Sequence, residues 1–90
     1  MTVIWTQRAQ YKLREIYNYI SKDSLANARK QIEQVIVQVD RLIHFPNMGR
    51  ESLQKGVREI LSGNYRISYT IADKQLKVLN ITHVRQNNRS

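Results

Sequence analysis

Two consecutive segments of the chain carry apolar residues at helical spacing, and each follows a hydroxyl residue that can cap a helix. Thr6 precedes the first segment and Ser24 precedes the second. The spacing predicts one helix over about residues 7–21 and another ending near residue 44. The two apolar stripes consist of Ala9, Leu13, Ile16, Tyr17 and Ile20, then Ala28, Ile32, Val35, Ile36, Val39, Leu42 and Ile43. Joined by a few polar residues, they predict an antiparallel helical hairpin, which needs a third surface to cover its remaining apolar faces.

The remainder of the chain predicts strands that supply this surface. Pro46 and Gly49 end the second helix and open a loop. Residues 57–61 and 65–71 are typical of a hairpin, and residues 72–75 turn the chain into a last strand over 76–83. A short apolar run at residues 3–5 precedes the first helix. The predicted fold is therefore α+β with the order β-α-α-β-β-β, a helical hairpin packed on one face of a small antiparallel sheet.

The strand at residues 65–71 alternates strictly, which predicts how its side chains divide between the two faces of the sheet. One face receives Tyr65, Ile67, Tyr69 and Ile71, and the other receives Arg66, Ser68 and Thr70. Because the helices need only one face, the polar set predicts an exposed face where functional chemistry is expected.

Composition and charge restrict the class of protein. The 90 residues carry 15 Lys and Arg against 7 Asp and Glu, and the net charge of +8 indicates an anionic partner: nucleic acid, an anionic membrane surface or an acidic protein. This length predicts one domain over residues 1–90, with 84–90 as a short tail. The absence of cysteine excludes disulfides and thiolate metal sites, and we predict neither cofactor nor metal. No signal peptide or membrane span is predicted, which favours the cytoplasm.

Several short motifs occur in a fixed order along nearly the whole chain. They are Trp5-Thr6 with Ala9, Ile16-x-x-Tyr19-Ile20, Leu42-Ile43-x-x-Pro46-x-x-Gly49-Arg50, Val57-Arg58-Glu59-Ile60, Tyr65-Arg66-Ile67-x-Tyr69 and His83-x-Arg85. In this order the chain resembles the RelE/ParE superfamily of toxins from bacterial type II toxin–antitoxin systems, closest to the ParE-like branch. The resemblance implies the same β-α-α-β-β-β fold.

The resemblance implies two alternative ways of arresting bacterial growth. ParE-type toxins block DNA gyrase without being enzymes, whereas RelE-type toxins enter the ribosome and cut messenger RNA. Both are neutralised by a cognate antitoxin, usually acidic or with an acidic segment, in a hetero-oligomer. We expect a gyrase inhibitor, with a ribosome-dependent endoribonuclease as the alternative and a non-toxic basic binding module as a third possibility.

Metal-free RNA cleavage requires a base, an acid and a cation at the phosphate, and the chain offers few such groups. The resemblance aligns Arg66 and Arg85 with phosphate-binding arginines, and His83 is the candidate acid or base because histidine is the usual proton carrier near neutral pH. Two parts are missing: no Tyr, His or Glu follows Arg85, and the loop before residue 57 has only Lys55 where related ribonucleases carry paired lysines. Non-enzymatic action is therefore favoured.

The same basic residues are also candidates for contact with a target or an antitoxin. This set comprises Arg50, Arg58, Arg66, His83 and Arg85. Simpler roles remain open for each: Arg66 as a solvated side chain, His83 as a hydrogen-bonding residue at a strand end, Arg85 as a solvated residue of a basic terminus, and Arg50-Glu51 and Arg58-Glu59 as local ion pairs worth less than about 1 kcal/mol if exposed.

Overall fold

A computed structural model describes residues 1–85 and contains the predicted helices and strands in the predicted order. The elements are β1 Thr2–Trp5, α1 Gln7–Ser21, α2 Leu25–His44, β2 Arg50–Glu51, β3 Arg58–Ser62, β4 Tyr65–Ala72 and β5 Gln75–His83. The strands form one sheet in the order β1-β5-β4-β3-β2. The α+β class is confirmed. Most of the predicted tail, residues 86–90, lies outside the described residues.

The sheet differs from the prediction in two respects. The segment predicted as a loop contains β2, whose Arg50 and Glu51 pair antiparallel with Glu59 and Arg58 of β3. A strand of two residues is too short to show an alternating pattern, so the sequence does not reveal it. In addition, β1 pairs parallel with β5, which makes the sheet mixed and not purely antiparallel. The helical hairpin between β1 and the later strands provides the long crossover that a parallel pair requires.

Both helices begin at the predicted caps. The Thr6 hydroxyl accepts a hydrogen bond from the Ala9 N–H at 3.1 Å, and the Ser24 hydroxyl accepts one from the Asn27 N–H at 3.1 Å. Thr6 has a second role, because its hydroxyl donates to the Leu79 carbonyl of β5 at 3.1 Å. This bond ties the start of α1 directly to the sheet.

Both helices pack on the same face of the sheet and bury one apolar core. The buried cluster comprises Ala9, Ile16, Val35, Val39 and Leu42 of the helices with Tyr65, Ile67, Tyr69, Leu76, Val78 and Ile81 of β4 and β5. The predicted division of β4 is confirmed, since Tyr65, Ile67 and Tyr69 are buried while the residues between them are partly exposed. We call the surface that carries Arg66, Ser68 and Thr70 the open face.

A β-bulge in β5 changes which of its side chains reach the open face. Ser68 pairs with Asn80 and Tyr69 pairs with Val78, so Leu79 has no partner in β4. Such an extra residue reverses the alternation beyond it. Val78 before the bulge and Ile81 after it are therefore both buried against the helices, and His83 follows Ile81 onto the same face.

Among residues 1–85, neither helix combines the length and the apolar character that a membrane span requires.

Candidate functional site on the open face

The open face contains a groove of about 790 Å³ with arginines from three separate elements. Arg8 comes from the first turn of α1, Arg50 from β2 and Arg66 from the middle of β4. Its other lining residues are Glu51, Ser52, Leu53, Gln54, Val57, Glu59, Ser68, Leu79 and Asn80. The groove is thus a basic and partly apolar surface, suited to binding anionic groups.

Two of these arginines share one carboxylate. Arg50 Nη2 lies 3.4 Å from Glu59 Oε1, and Arg66 Nε lies 3.6 Å from the same oxygen. Both contacts are longer than the 2.7–2.9 Å typical of a charge-assisted hydrogen bond. Arg66 Nε is buried and has no hydrogen-bond partner among the described residues.

The ion pairs differ from those expected along the chain. Arg50 pairs with Glu59 across the β2–β3 ladder, and Arg58 Nη2 lies 3.9 Å from Glu51 Oε2. Adjacent residues of a strand point to opposite faces, so the sequence neighbours Arg50-Glu51 and Arg58-Glu59 are not the partners. The antiparallel pairing of β2 with β3 brings each arginine opposite the other strand's glutamate.

Arg58 supports the groove from the opposite side of the sheet. Its Nη1 donates to the Gly49 carbonyl at 2.6 Å. The Tyr69 hydroxyl accepts from the Gly49 N–H at 3.0 Å and donates to the Pro46 carbonyl at 2.8 Å. Both peptide groups of Gly49 are thus held by side chains, and the following residue, Arg50, is fixed on the open face. We call Pro46, Gly49, Arg58 and Tyr69 the loop anchor.

Gly49 is required in this anchor by close packing. A Cβ atom at this position would lie 2.6 Å from the Tyr69 hydroxyl oxygen and 2.7 Å from the Glu59 carbonyl oxygen. Burial raises the pKa of the Tyr69 phenol, and the hydrogen bond from Gly49 and the charge of Arg58 oppose this only in part. The phenol therefore keeps the proton that it donates to Pro46 at neutral pH.

His83 and Arg85 lie away from the open face. His83 pairs with Tyr65 across β5 and β4, and their rings meet edge to face with centroids 5.2 Å apart. His83 Nδ1 accepts the Arg85 N–H at 3.1 Å. Both residues line a separate cavity of about 710 Å³ under α1, together with Tyr19 and Tyr65. Burial is the main cause that raises the pKa of Tyr65, and the neighbouring Tyr19 adds to this rise.

The candidate residues therefore fall into three places. Arg50 and Arg66 meet in the open-face groove, Arg58 belongs to the loop anchor, and His83 with Arg85 occupies the opposite side of the sheet. The separation of Arg66 from His83 follows from the bulge at Leu79, because an unbroken alternation would place His83 on the same face as Arg66.

Only Arg50 and Arg66 of the groove were predicted as site residues, and three of the others bear on its charge and polarity. Arg8 follows the cap of α1, Leu53 lies in the loop before β3, and Glu59 lies between two arginines. The one available signal was that Glu59 and Arg58 alternate in a strand, which places Glu59 on the polar face once the pairing partner is known. Among residues 1–85, no group of three or more His, Cys, Asp or Glu side chains is placed to hold a metal ion.

Comparison with known proteins agrees with this architecture. Residues 3–88 match the family model described as the ParE toxin of the type II toxin–antitoxin system parDE. A protein of Sinorhizobium fredii named "Putative toxin Y4kP" is 33% identical over 84 residues, covering 91% of this chain and 86% of that protein.

Two solved structures share the fold. In the chromosomal ParDE system of P. aeruginosa, a chain of 25% identity superposes with a TM-score of 0.81, covering 92% of this chain and 95% of that one. In the E. coli RelBE toxin–antitoxin complex, a chain of 16% identity has a TM-score of 0.66, with 91% and 94% covered. The second likeness concerns the fold alone.

Proposed function

Since the chain belongs to the ParE family of toxins from type II toxin–antitoxin systems, we propose that it arrests bacterial growth by blocking DNA gyrase. The proposed action is binding, without covalent chemistry by the toxin itself. The proposed neutralising partner is a cognate antitoxin that is acidic or carries an acidic segment. Toxin–antitoxin complexes among the structural relatives support such a partner, and so does the net charge of +8.

The observation that carries the proposal is the composition of the open-face groove. A general acid or base must come within about 2.6–3.2 Å of the proton that it transfers. Among the described residues, the groove around Arg66 contains no His or Tyr, and the carboxylate nearest to Arg66 is Glu59, which is paired with two arginines. His83 lies across the sheet. This arrangement supports a surface that binds anions over one that transfers protons.

The alternative is a ribosome-dependent messenger RNA endoribonuclease. The observation in its favour is that Arg50 and Arg66 face one open groove, where cations can stabilise a phosphate in a transition state. The sequence assigns Arg66 and Arg85 to phosphate and His83 to proton transfer, and the fold places Arg66 on the opposite side of the sheet from the other two.

Brief induction in a bacterial host separates the two functions. DNA, RNA and protein synthesis are followed by incorporation of labelled precursors. The gyrase proposal predicts early loss of DNA synthesis, filamentation and a DNA-damage response. Immediate loss of translation with cut messages would contradict it and support the ribonuclease, and normal growth at verified expression would support the non-toxic binding module.

A pair of histidine variants tests the proton carrier directly. His83→Ala is compared with His44→Ala, a change at the exposed end of α2. The gyrase proposal predicts that both variants still arrest growth. Loss of toxicity and of messenger RNA cleavage in His83→Ala alone, with an unchanged circular dichroism spectrum, would instead support RNA cleavage.

A further inference from the structure

We propose that Arg50 and Arg66 form a carboxylate clamp for an acidic segment of a protein partner, and that Glu59 is an internal counter-ion with which this segment competes. This inference extends the proposed function. It rests on that function in one respect, namely that the partner is a protein. The proposed clamp is a recognition site, and Glu59 weakens the binding of the partner's carboxylates to it.

The geometry of the clamp leaves donors available. Both guanidinium groups approach the same Glu59 oxygen, at 3.4 Å from Arg50 Nη2 and 3.6 Å from Arg66 Nε. Arg66 Nε is buried beside Glu59 and has no hydrogen-bond acceptor among the described residues, while 20% of the Arg66 side chain is accessible to a partner. Arg50 is largely exposed, with 73% of its side chain accessible, so it can turn toward a second anion. A planar guanidinium can bind a carboxylate through two parallel hydrogen bonds, which Glu59 does not form here.

The surroundings of the clamp favour a polypeptide over a nucleic acid. Leu53 stands fully exposed at the groove, and Leu61 is 55% exposed on the same face of the sheet. Such side chains offer apolar contacts to aliphatic residues of a partner. Proteins that bind single-stranded nucleic acid stack bases on aromatic rings, and among the described residues lining this groove none is aromatic. An acidic segment with aliphatic side chains therefore complements the groove in both charge and polarity.

The clamp is tested by fluorescence anisotropy with the full chain. The probe is a short fluorescein-labelled peptide of glutamate, leucine and serine, and the controls are the same peptide with glutamine in place of glutamate and an oligo-dT of equal net charge. Arg66→Lys keeps the positive charge but removes the planar guanidinium group that can form two parallel hydrogen bonds. Arg29→Gln removes a charge from an exposed position of α2 outside the groove. Circular dichroism melting verifies the fold of each variant.

The clamp predicts three results at one ionic strength. The glutamate peptide binds more tightly than either control probe. Arg66→Lys weakens it about tenfold, whereas Arg29→Gln changes it by less than about twofold. Glu59→Gln strengthens it about two- to fivefold, because the competing carboxylate is removed. Tighter binding of oligo-dT, equal losses in Arg66→Lys and Arg29→Gln, or unchanged or weaker binding in folded Glu59→Gln would each overturn the proposal.

A gyrase supercoiling assay then identifies the source of the carboxylate. If excess glutamate peptide relieves inhibition by the toxin, the clamp contacts gyrase; if the peptide binds but inhibition persists, the clamp lies outside the gyrase contact. If the peptide-binding results agree with the clamp but the protein does not inhibit gyrase, the clamp is supported and the proposed function is contradicted. If the protein inhibits gyrase but its Arg66→Lys variant binds the peptide as tightly as wild type, the proposed function is supported and the clamp is contradicted.

Discussion

At the scale of single residues, Tyr69 connects the core to the functional face. Its ring is fully buried between the sheet and the helices, while its hydroxyl holds the Gly49 N–H and the Pro46 carbonyl. Arg58 holds the Gly49 carbonyl from the neighbouring strand. The family motifs around Pro46, Gly49, Arg58 and Tyr69 thus converge on one anchor, which positions Arg50 in the groove.

Removing only the Tyr69 hydroxyl should weaken the fold measurably. In Tyr69→Phe, a buried N–H and a carbonyl lose their partner, so we expect the free energy of unfolding to fall by about 1–3 kcal/mol in urea titrations. Tyr19→Phe is the matched control, because Tyr19 is 71% exposed, and it should change stability by less than about 0.5 kcal/mol. Equal stability of the two variants would show that the anchor bonds contribute nothing.

The same phenol predicts a stability change at alkaline pH. Burial raises the pKa of Tyr69 above its ordinary value of about 10, with Gly49 and Arg58 acting in the opposite direction. A group whose pKa is higher in the folded state stabilises fully below its unfolded pKa and loses that contribution as pH rises through the folded pKa. The stability difference between wild type and Tyr69→Phe should therefore be constant up to about pH 10 and shrink above it. A difference that widens above this pH would contradict the assignment.

At the scale of secondary-structure elements, the two helix caps are chemically alike but make different numbers of hydrogen bonds. Ser24 caps α2 at an exposed site, whereas Thr6 caps α1 and also donates to Leu79 at the bulge. Thr6→Ala should cost about 1–2 kcal/mol and more than Ser24→Ala, while Thr6→Ser should be close to wild type because it keeps both bonds. Thermal and urea unfolding of the three variants measure this order, and an equal loss in both alanine variants would refute it.

The turn between β4 and β5 contains avoidable strain. Asp73 and Lys74 have φ values of 52° and 61°, the left-handed conformation of a type I′ turn. Glycine tolerates this conformation, and in the β3–β4 turn Gly63 occupies it with φ 59°. Lys74→Gly should therefore stabilise the protein by about 0.5–1 kcal/mol, whereas Lys74→Ala should give no gain. A more stable alanine variant would show that charge, not conformation, decides at this position.

Local patterns made the helices and the faces of β4 predictable, but not the relations between distant strands. Thr6 and Ser24 indicated where the two helices begin, and the alternation of residues 65–71 assigned Arg66 to the open face. The parallel pairing of β1, the two-residue β2 and the bulge at Leu79 depend on contacts between separate segments. Because the bulge reverses the alternation of β5, the sequence could not show that Arg66 and His83 lie on opposite sides.

At the scale of the whole molecule, the sheet separates two surfaces. The open face presents the Arg50–Glu59–Arg66 group with the exposed Leu53, and the opposite side presents His83 and Arg85 in a cavity under α1. The proposed function assigns recognition of acidic partners to the open face. With a net charge of +8, such binding should weaken as salt is increased, because screening reduces attraction between exposed charges.

Block of gyrase by the toxin is a proposal that purified components can test. The full chain is added in parallel to a gyrase supercoiling reaction and to a cell-free translation reaction in which messenger RNA length is followed. We predict that supercoiling stops at toxin concentrations that leave translation and the message intact. Unaffected supercoiling together with arrested translation and cut messenger RNA would contradict gyrase inhibition and make the ribosome the target.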